Sequence, residues 1–386
     1  MNNPFDITFG RVPEIYIDRE EILATTVHAI KNHSPLYQTN IICGMRGSGK
    51  TTFMTDLSNT LSREKDWICI NLSDSENLIQ DLSDYLDYIV HSHLGGHKKI
   101  EGLGIGALGF SASVSAKEAE PSAKVKIEVN LARLKQKGIS LLVTLDEVTN
   151  SRSTREFASY DQILIRSGYQ ITLLLAGLPE NVSDLINHEV MTFLLRANRI
   201  SLSRLSDYAV MNSYRHIFTD SGRKLDEDTL LHMTALVHGY AYAFQLLGHL
   251  LWENSSRGDP INLDLLETIG RDFRDLLYQN VYFILYRRLT EVEQSYLRIM
   301  SDEKDRLVPS AYINKKLGKG SSYCNVYRSR LLERQIIEAP RFGYVSFSLP
   351  FFRDFLLTQK KLEELFNRLN PNRALRLARI KKDNPS

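Results

Sequence analysis

Residues 43–52 read CGMRGSGKTT, and this stretch decides the fold. From Gly44 to Thr51 it matches G-x-x-x-x-G-K-[ST] at every fixed position. The apolar run TNII precedes it, and FMTDLSNTL, with apolar residues at helical spacing, follows it. Glycines let the backbone curl so that successive N–H groups point inward at phosphate oxygens, and the helix start adds positive charge. An ordinary glycine-rich turn is the alternative, but the flanking strand and helix favour a phosphate-binding loop.

The side chains of this loop predict a bound ATP or ADP together with Mg²⁺. We expect Lys50 to reach the β- and γ-phosphates and the Thr51 hydroxyl to ligate the Mg²⁺ ion. The residues predicted to hold the nucleotide are Gly44, Arg46, Gly47, Ser48, Gly49, Lys50, Thr51 and Thr52.

An acidic pair ends a second apolar run, ISLLVTLDEV at residues 139–148. Continuous apolar sequence is typical of a strand buried on both faces in a parallel sheet. We expect Asp146 to lie at the carboxyl end of this strand, beside the loop, and to hold Mg²⁺ through water. Glu147 is then placed to act as general base on an attacking water. An acidic helix N-cap is the alternative, but beside a phosphate-binding loop the pair predicts ATP hydrolysis.

Further segments complete an α/β domain. DWICINL at residues 66–72 and YQITLLLAGLP at residues 169–179 are short apolar runs separated by helical segments, as in a βαβ sheet. A helix is predicted from about Arg19 to Asn32. The fold class expected here is an α/β P-loop NTPase with a parallel sheet between helices.

A second glycine-rich stretch, GIGALG at residues 104–109, matches the dinucleotide pattern G-x-G-x-x-G. That pattern requires a strand before it and a helix after it. Here GGHKK precedes it, and the alternating FSASVSA, the turn-like KEAEPSA and the alternating KVKIEV follow it. We therefore reject a dinucleotide site and predict a β-hairpin at about residues 103–128, inserted between the two nucleotide motifs and available for partner contact.

The composition is that of an ordinary globular chain. Its 386 residues are enough for two or three domains, and 43% are hydrophobic and 24% charged. The net charge of +2 is too small to predict a polyanionic partner by itself. The three cysteines are odd in number and widely spaced, which favours a reducing compartment. With no signal peptide and no apolar segment near the roughly 20 residues of a bilayer crossing, we expect a cytoplasmic protein without membrane contact.

Helical spacing begins after RISLSRLSD at residues 199–207, and an α/β nucleotide domain followed by a helical domain is the AAA+ layout. Several ordered motifs along the chain then indicate a more specific resemblance. The chain resembles the bacterial and archaeal AAA+ ATPases that are related to origin-recognition initiators and to STAND signalling regulators. The motifs are NPFDITFGRVPEIYIDREE at residues 3–21, AGLP at 176–179, TFLLRA at 192–197 and GYAYAFQLLG at 239–248, with Trp252 after them. The resemblance runs from residue 3 to about residue 356.

This resemblance implies an AAA+ nucleotide domain, an all-α lid and a winged helix after the lid. It implies that the segment around residues 12–19 lies against the adenine. It also implies that Arg196 is an arginine finger for the site of a neighbouring subunit, with Arg199 as the alternative, so that the chain forms a homo-oligomer. A finger contributes roughly 10³–10⁵ in rate. Ion pairing with surface acids is the other interpretation of these arginines.

Two departures from the family pattern bear on the rate. Ala176 and Gly177 stand where initiators place a polar sensing side chain. Gly239, Tyr240 and Ala241 replace the usual Gly-Tyr-Pro, and no arginine follows at the usual sensor position. Because the lid then lacks a direct charge contact with the γ-phosphate, we expect slow hydrolysis, as in a switch rather than a motor.

The last part of the chain has the pattern of a winged helix-turn-helix. Thr290 is a plausible cap for the first helix, Gly318 for the end of the second, and two short alternating strands surround Arg341. The third helix of such a module enters a DNA major groove. The basic residues predicted to contact double-stranded DNA are Lys315, Lys316, Lys319, Arg328, Arg330, Arg334 and Arg341, together with the tail from Arg368 to Lys382.

The predicted plan is a nucleotide domain at residues 1–203, a lid at 204–285, a winged helix at 286–360 and a basic tail at 361–386. The leading hypothesis is a slow ATP hydrolase whose nucleotide state positions a DNA-binding winged helix. The alternative is a STAND-like regulator whose winged helix contacts only protein. A small-molecule kinase is disfavoured because no acceptor-site acid stands out.

Overall fold

Five parallel strands form the central sheet of the computed structural model, which describes residues 2–8, 19–94 and 121–369. The spatial order of these strands is β2-β3-β4-β1-β5, so β4 separates the strand before the phosphate-binding loop from the strand that carries the acidic pair. The strands are β1 (Thr39–Cys43), β2 (Trp67–Ser73), β3 (Ser140–Asp146), β4 (Ile171–Gly177) and β5 (Asn198–Ser201).

Helices cover both faces of this sheet, because its strands are apolar on both sides. Alternate residues of a strand face opposite sides. Ile41 accordingly belongs to the core beneath α3 to α6, whereas Ile42 packs under α1 and α2. The helices are α1 (Glu20–Lys31), α2 (Lys50–Ser62), α3 (Leu78–Leu94), α4 (Ala123–Gln136), α5 (Arg152–Arg166) and α6 (Pro179–Ile186), with 3₁₀ turns at Pro35–Tyr37 and Glu189–Arg196.

Helix α4 corrects the hairpin prediction. Residues 123–128 were expected to form strand, but they begin this helix. The alternation of KVKIEV is local, whereas the buried residues Ile127, Leu131 and Leu134 follow helical spacing over a longer window and pack against α3. The G-x-G-x-x-G stretch and the rest of the predicted hairpin lie outside the described residues.

The lid follows the nucleotide domain and is mainly helical. Its elements are α7 (Asp207–Asp220), β6 (Lys224–Leu225), α8 (Glu227–Val237), α9 (Ala241–Glu253), β7 (Pro260–Ile261), α10 (Leu263–Leu277), a π-helical turn (Tyr278–Tyr282) and α11 (Phe283–Arg287). The predicted boundary between residues 285 and 286 therefore falls inside α11.

The N-terminal segment packs on α9 of the lid. Phe5 is buried against Phe244 and Trp252, and a Cβ atom on Gly248 would lie 2.2 Å from the Phe5 ring. The backbone N–H of Asp6 donates to Gln245 Oε1 at 3.1 Å. These contacts give a physical reason for two motifs of the family resemblance, since the glycine makes room for the N-terminal phenylalanine.

The C-terminal module joins helices to a small antiparallel sheet in the order β8-β10-β9. The predicted Thr290 cap forms a capping box with Glu293, and Gly318 ends a helix in the left-handed conformation, as expected. The elements are α12 (Glu291–Asp302), β8 (Val308–Pro309), α13 (Ser310–Leu317), α14 (Ser321–Glu333), β9 (Ile337–Glu338), β10 (Tyr344–Phe347) and α15 (Phe352–Leu369).

Helix α15 also corrects the start of the predicted tail. Residues 361–369 continue this helix rather than beginning a separate tail, and residues 370–386 lie outside the described part of the chain. None of the described helices combines the length and apolar character that a bilayer crossing needs.

Asp161 is a buried acid in the core of the nucleotide domain. It lies on the inner face of α5 with Phe157 and Leu164, and it is only 3% exposed. Neither carboxyl oxygen has a hydrogen-bond partner among the described residues. Burial raises the pKa of Asp161 from its ordinary 3.8 to about 8.

This raised pKa predicts that the nucleotide domain becomes less stable as pH rises from about 4 to about 8. The unfolded chain releases the Asp161 proton near pH 4, whereas the folded chain keeps it to about pH 8. The folded state therefore loses stability as pH rises between those values. The free energy of unfolding of Asp161→Asn and of the wild type can be measured with urea. We expect the difference between them to change by about 2–4 kcal/mol in favour of the variant from pH 5 to pH 8. Asp84→Asn, at an exposed position of α3, is the control that should follow the wild type; parallel pH curves for Asp161→Asn and the wild type would contradict the prediction.

Candidate functional site

The phosphate-binding loop joins β1 to α2 in the predicted strand-loop-helix order. Gly47 and Gly49 have φ of 75° and 91°, values that glycine adopts readily and other residues do not. The Lys50 ammonium donates to the carbonyl oxygens of Gly44 at 2.8 Å and Met45 at 2.9 Å. The lysine is therefore held inside the curl of the loop.

Burial lowers the pKa of Lys50 to about 8, although the nearby Asp146 carboxylate opposes the shift. Burial makes the charged form of Lys50 unfavourable, and a bound phosphate would stabilise that charged form. The buried lysine therefore favours binding of an anion.

The acidic pair lies directly opposite the loop. The Thr51 hydroxyl donates to Asp146 Oδ2 at 2.6 Å, and the Glu147 N–H donates to Asp146 Oδ1 at 2.8 Å. Both Asp146 oxygens are thus engaged, while the Glu147 side chain is exposed at a left-handed backbone position with φ of 54°. Such strain in a residue other than glycine is common at functional sites.

A cavity of about 660 Å³ contains most of the predicted site. Arg46 to Thr52, Asp146 and Glu147 line it, whereas Gly44 and the finger candidate Arg196 do not. Its other lining residues are Asp6, Ile7, Thr8, Arg19, Thr149, Gly177, Leu178, Asn181, Leu205, Ala241, Tyr242, Phe244, Gln245 and Arg288. A larger cavity of about 870 Å³ lies between the lid and the C-terminal module, and none of the predicted nucleotide-binding, metal-binding or catalytic residues lines it.

The lid touches the loop directly. The Tyr240 hydroxyl donates to the Arg46 carbonyl at 2.7 Å, and the Tyr242 N–H donates to the Gly47 carbonyl at 3.1 Å. A Cβ atom on Gly47 would lie 2.5 Å from the Tyr240 hydroxyl oxygen, so this glycine is also needed for the close approach. The position of the lid is therefore coupled to the shape of the loop.

The C-terminal module touches the same region. The Met45 N–H donates to Gln335 Oε1 at 3.4 Å, and Arg334 forms ion pairs with Glu293 at 3.4 Å and Glu180 at 3.9 Å. Arg334, expected to face DNA, instead lies between two acids at this contact.

The cavity residues that were not predicted as site residues include Asn181, Gln245 and Arg288. Asn181 of α6 brings a polar side chain to the end of β4, where the sequence at Ala176 and Gly177 suggests none. Gln245 lies on α9, and Arg288 directly follows α11. No local motif marks Asn181 or Arg288, although Gln245 lies within a family motif.

The residues present fit a nucleotide with Mg²⁺. Thr51 and Asp146 offer two oxygen ligands side by side, and Mg²⁺ typically takes one or two protein oxygens with phosphates and waters. Within residues 2–8, 19–94 and 121–369, three or more His, Cys, Asp or Glu side chains do not converge on any metal position.

Five of the predicted DNA contacts are exposed on the C-terminal module. They are Lys315, Lys316, Lys319, Arg330 and Arg341, and they form no ion pair with the described residues. Cations of four of them lie 5.1–5.7 Å from tyrosine ring centroids. Arg328 is half-buried, with its Nε atom fully buried.

A family model described as a domain of unknown function (DUF8462) matches residues 279–356. A search of curated proteins found no match to the chain. Among solved structures, the Walker-type ATPase PABY2304 of Pyrococcus abyssi is similar, with a TM-score of 0.61 and 14% identity. The match covers 91% of this chain and 99% of that one.

Two further structures are similar over comparable lengths. The ADP form of the ORC2 protein of Aeropyrum pernix has a TM-score of 0.48 and 13% identity, covering 92% of this chain and 97% of that one. Cdc6p of Pyrobaculum aerophilum has a TM-score of 0.46 and 13% identity, with the same coverage of each chain. Because both scores are below 0.5, the likeness rests on the Pyrococcus protein, and at 14% identity it concerns the fold. With its five-stranded parallel sheet, flanking helices and phosphate-binding loop, the chain has the fold of an AAA+ P-loop ATPase.

Proposed function

We propose that the chain binds ATP with Mg²⁺ and hydrolyses it slowly, and that the nucleotide state positions a winged helix on double-stranded DNA. The observation that carries the nucleotide site is the 2.6 Å hydrogen bond from Thr51 to Asp146, which joins the phosphate loop to the acidic strand. Calorimetric titration of the full chain with ATP and Mg²⁺ tests it, and the absence of binding would contradict it.

Each residue has a separate role in the proposed reaction. The amides of the loop and the Lys50 ammonium bind the phosphates. Thr51 and Asp146 hold Mg²⁺, which neutralises charge on the phosphates when bound. Glu147 bonds to Asp146 only through its backbone N–H, and its side chain is exposed. Its carboxylate accepts the proton of the attacking water.

The slow turnover proposed here rests on the residues that the lid contributes to the cavity. The lid contributes Leu205, Ala241, Tyr242, Phe244 and Gln245, and no cation is among them. A lid without a cation stabilises the developing charge of the reaction less than one with an arginine.

The C-terminal module supports the DNA half of the proposal. Its order of helix, strand, two helices and two strands agrees with the order expected of a winged helix, in which α14 would be the groove-reading helix. Lys315, Lys316, Lys319, Arg330 and Arg341 give it a basic surface, and none of them forms an ion pair with the described residues. Phosphates of a DNA duplex would supply partners for these cations.

Removing three of these charges should weaken DNA binding and its dependence on salt. We expect the triple variant Lys315→Ala, Lys316→Ala, Arg330→Ala to bind a duplex at least about tenfold more weakly, with the slope of log affinity against log salt reduced by roughly two to three. Fluorescence anisotropy at several salt concentrations measures both quantities.

The control triple variant removes the same charge from the nucleotide domain, at Arg63, Lys65 and Arg166, which are all exposed. Equal losses in both triple variants would indicate a general effect of net charge and contradict the assigned surface. A full chain that shows no salt-dependent DNA binding would favour the alternative, a STAND-like switch whose winged helix contacts protein.

A further inference from the structure

Arg288 occupies a position that connects the C-terminal module to the nucleotide cavity. It follows the last residue of α11 and precedes Leu289, which is buried in the shared core of lid and module. Thr290 then caps α12, the first helix of the module. A movement of this module would therefore move Arg288.

The neighbours of Arg288 include the phosphate-binding loop and the start of α6. Besides lining the 660 Å³ cavity, Arg288 lines a smaller cavity with Arg46 of the loop and with Leu178 and Glu180 after β4. Asp146 at the end of β3 and Leu178 after β4 line the 660 Å³ cavity together with Lys50, which is expected to reach the γ-phosphate. Ile7 and Arg19 also line this cavity, and Arg19 belongs to the segment expected at the adenine.

The guanidinium of Arg288 is exposed and makes no hydrogen bond or ion pair with the described residues. Arg334, in the same small cavity, is by contrast paired with Glu180 and Glu293. Arg288 is therefore a cation beside the proposed phosphate site whose donors remain available.

We infer that Arg288 contacts the terminal phosphate of ATP and so makes the C-terminal module sensitive to the presence of that phosphate. This inference rests on the proposed nucleotide site. The lid contributes Gln245 to the cavity but no cation. Arg288, in the linker to the module, would supply a cationic contact with the terminal phosphate in its place. A planar guanidinium suits phosphate oxygens because it donates two parallel hydrogen bonds.

The test compares ATP with ADP. In calorimetric titrations of the full chain with Mg²⁺, Arg288→Ala should weaken ATP binding roughly 10- to 100-fold, the loss expected for a charge-assisted hydrogen bond, and leave ADP binding nearly unchanged. Arg288→Lys should retain part of the ATP preference, since it keeps the charge and loses the fork. Arg287→Ala, at the exposed neighbouring position outside both cavities, is the matched control and should change neither affinity.

Thermal melting without nucleotide separates this role from a structural one. Because the Arg288 side chain is exposed and lacks a protein partner in the described part of the chain, Arg288→Ala should melt with the wild type. If the wild type binds both nucleotides and Arg288→Ala keeps the same ATP-to-ADP ratio, or loses both affinities equally, the inference is overturned while the proposed function stands. If the wild type binds neither nucleotide, the proposed function fails as well.

Discussion

Glu147→Gln is expected to lower the rate of ATP hydrolysis by roughly 10²–10⁴ while leaving ATP affinity nearly unchanged. The reason is that the two acids have different proposed roles, Asp146 in binding and Glu147 in proton transfer. Asp146 is held by Thr51 and by the Glu147 N–H, so it is engaged in the binding geometry. The Glu147 side chain lines the cavity without such a partner among the described residues, so it is available to a water.

Phosphate release in the steady state and calorimetric ATP titration measure the two quantities. Glu156→Gln is the matched control, because Glu156 is also exposed, belongs to the same domain and pairs with Arg152 outside the cavity. A variant at position 147 that hydrolyses ATP at the wild-type rate would contradict the assigned base. A loss of affinity in proportion to the rate would instead place Glu147 in binding.

The nucleotide domain shows which features a sequence can predict. The loop, the acidic strand and the other apolar strands are local patterns, and each is found where it was expected, within about two residues at its ends. Helix α4 was missed because six alternating residues were interpreted without the apolar Leu131 and Leu134 that follow them. A short window cannot separate the two periods when charged residues occupy the helix surface.

The residues of the site also fall into two groups, those that local motifs predict and those that only tertiary packing brings to the cavity. Residues 46–52, 146 and 147 belong to motifs whose spacing alone brings them together, and all of them line the cavity. Arg288 comes from a distant part of the chain and reaches the cavity only because the C-terminal module packs against the lid. Asn181 reaches it because α6 begins directly after β4. Tertiary packing of this kind leaves no periodic or spaced signal in a single sequence.

Arg196→Ala is expected to lower the hydrolysis rate by roughly 10³-fold or more if it acts as an arginine finger. Arg196 is exposed at the end of a 3₁₀ turn and does not line the cavity of its own chain. Val190 and Leu195 of the same turn are each 62% exposed, an apolar surface that suits contact with another subunit. Arg199 donates to the Leu194 carbonyl at 3.1 Å, so it is already engaged in local structure.

A mixture of two inactive variants tests whether the finger acts between subunits. In a head-to-tail assembly, Glu147→Gln subunits keep Arg196, and Arg196→Ala subunits keep Glu147. Equal mixing therefore creates complete sites at about a quarter of the interfaces, and activity should recover to that fraction. Light scattering with an ATP analogue confirms that Arg196→Ala still assembles. No recovery in assembled mixtures would contradict a finger in trans, and loss of activity in Arg199→Ala but not in Arg196→Ala would transfer the role to Arg199. Recovery on mixing would show that each site is completed by its neighbour, because neither variant alone contains both groups.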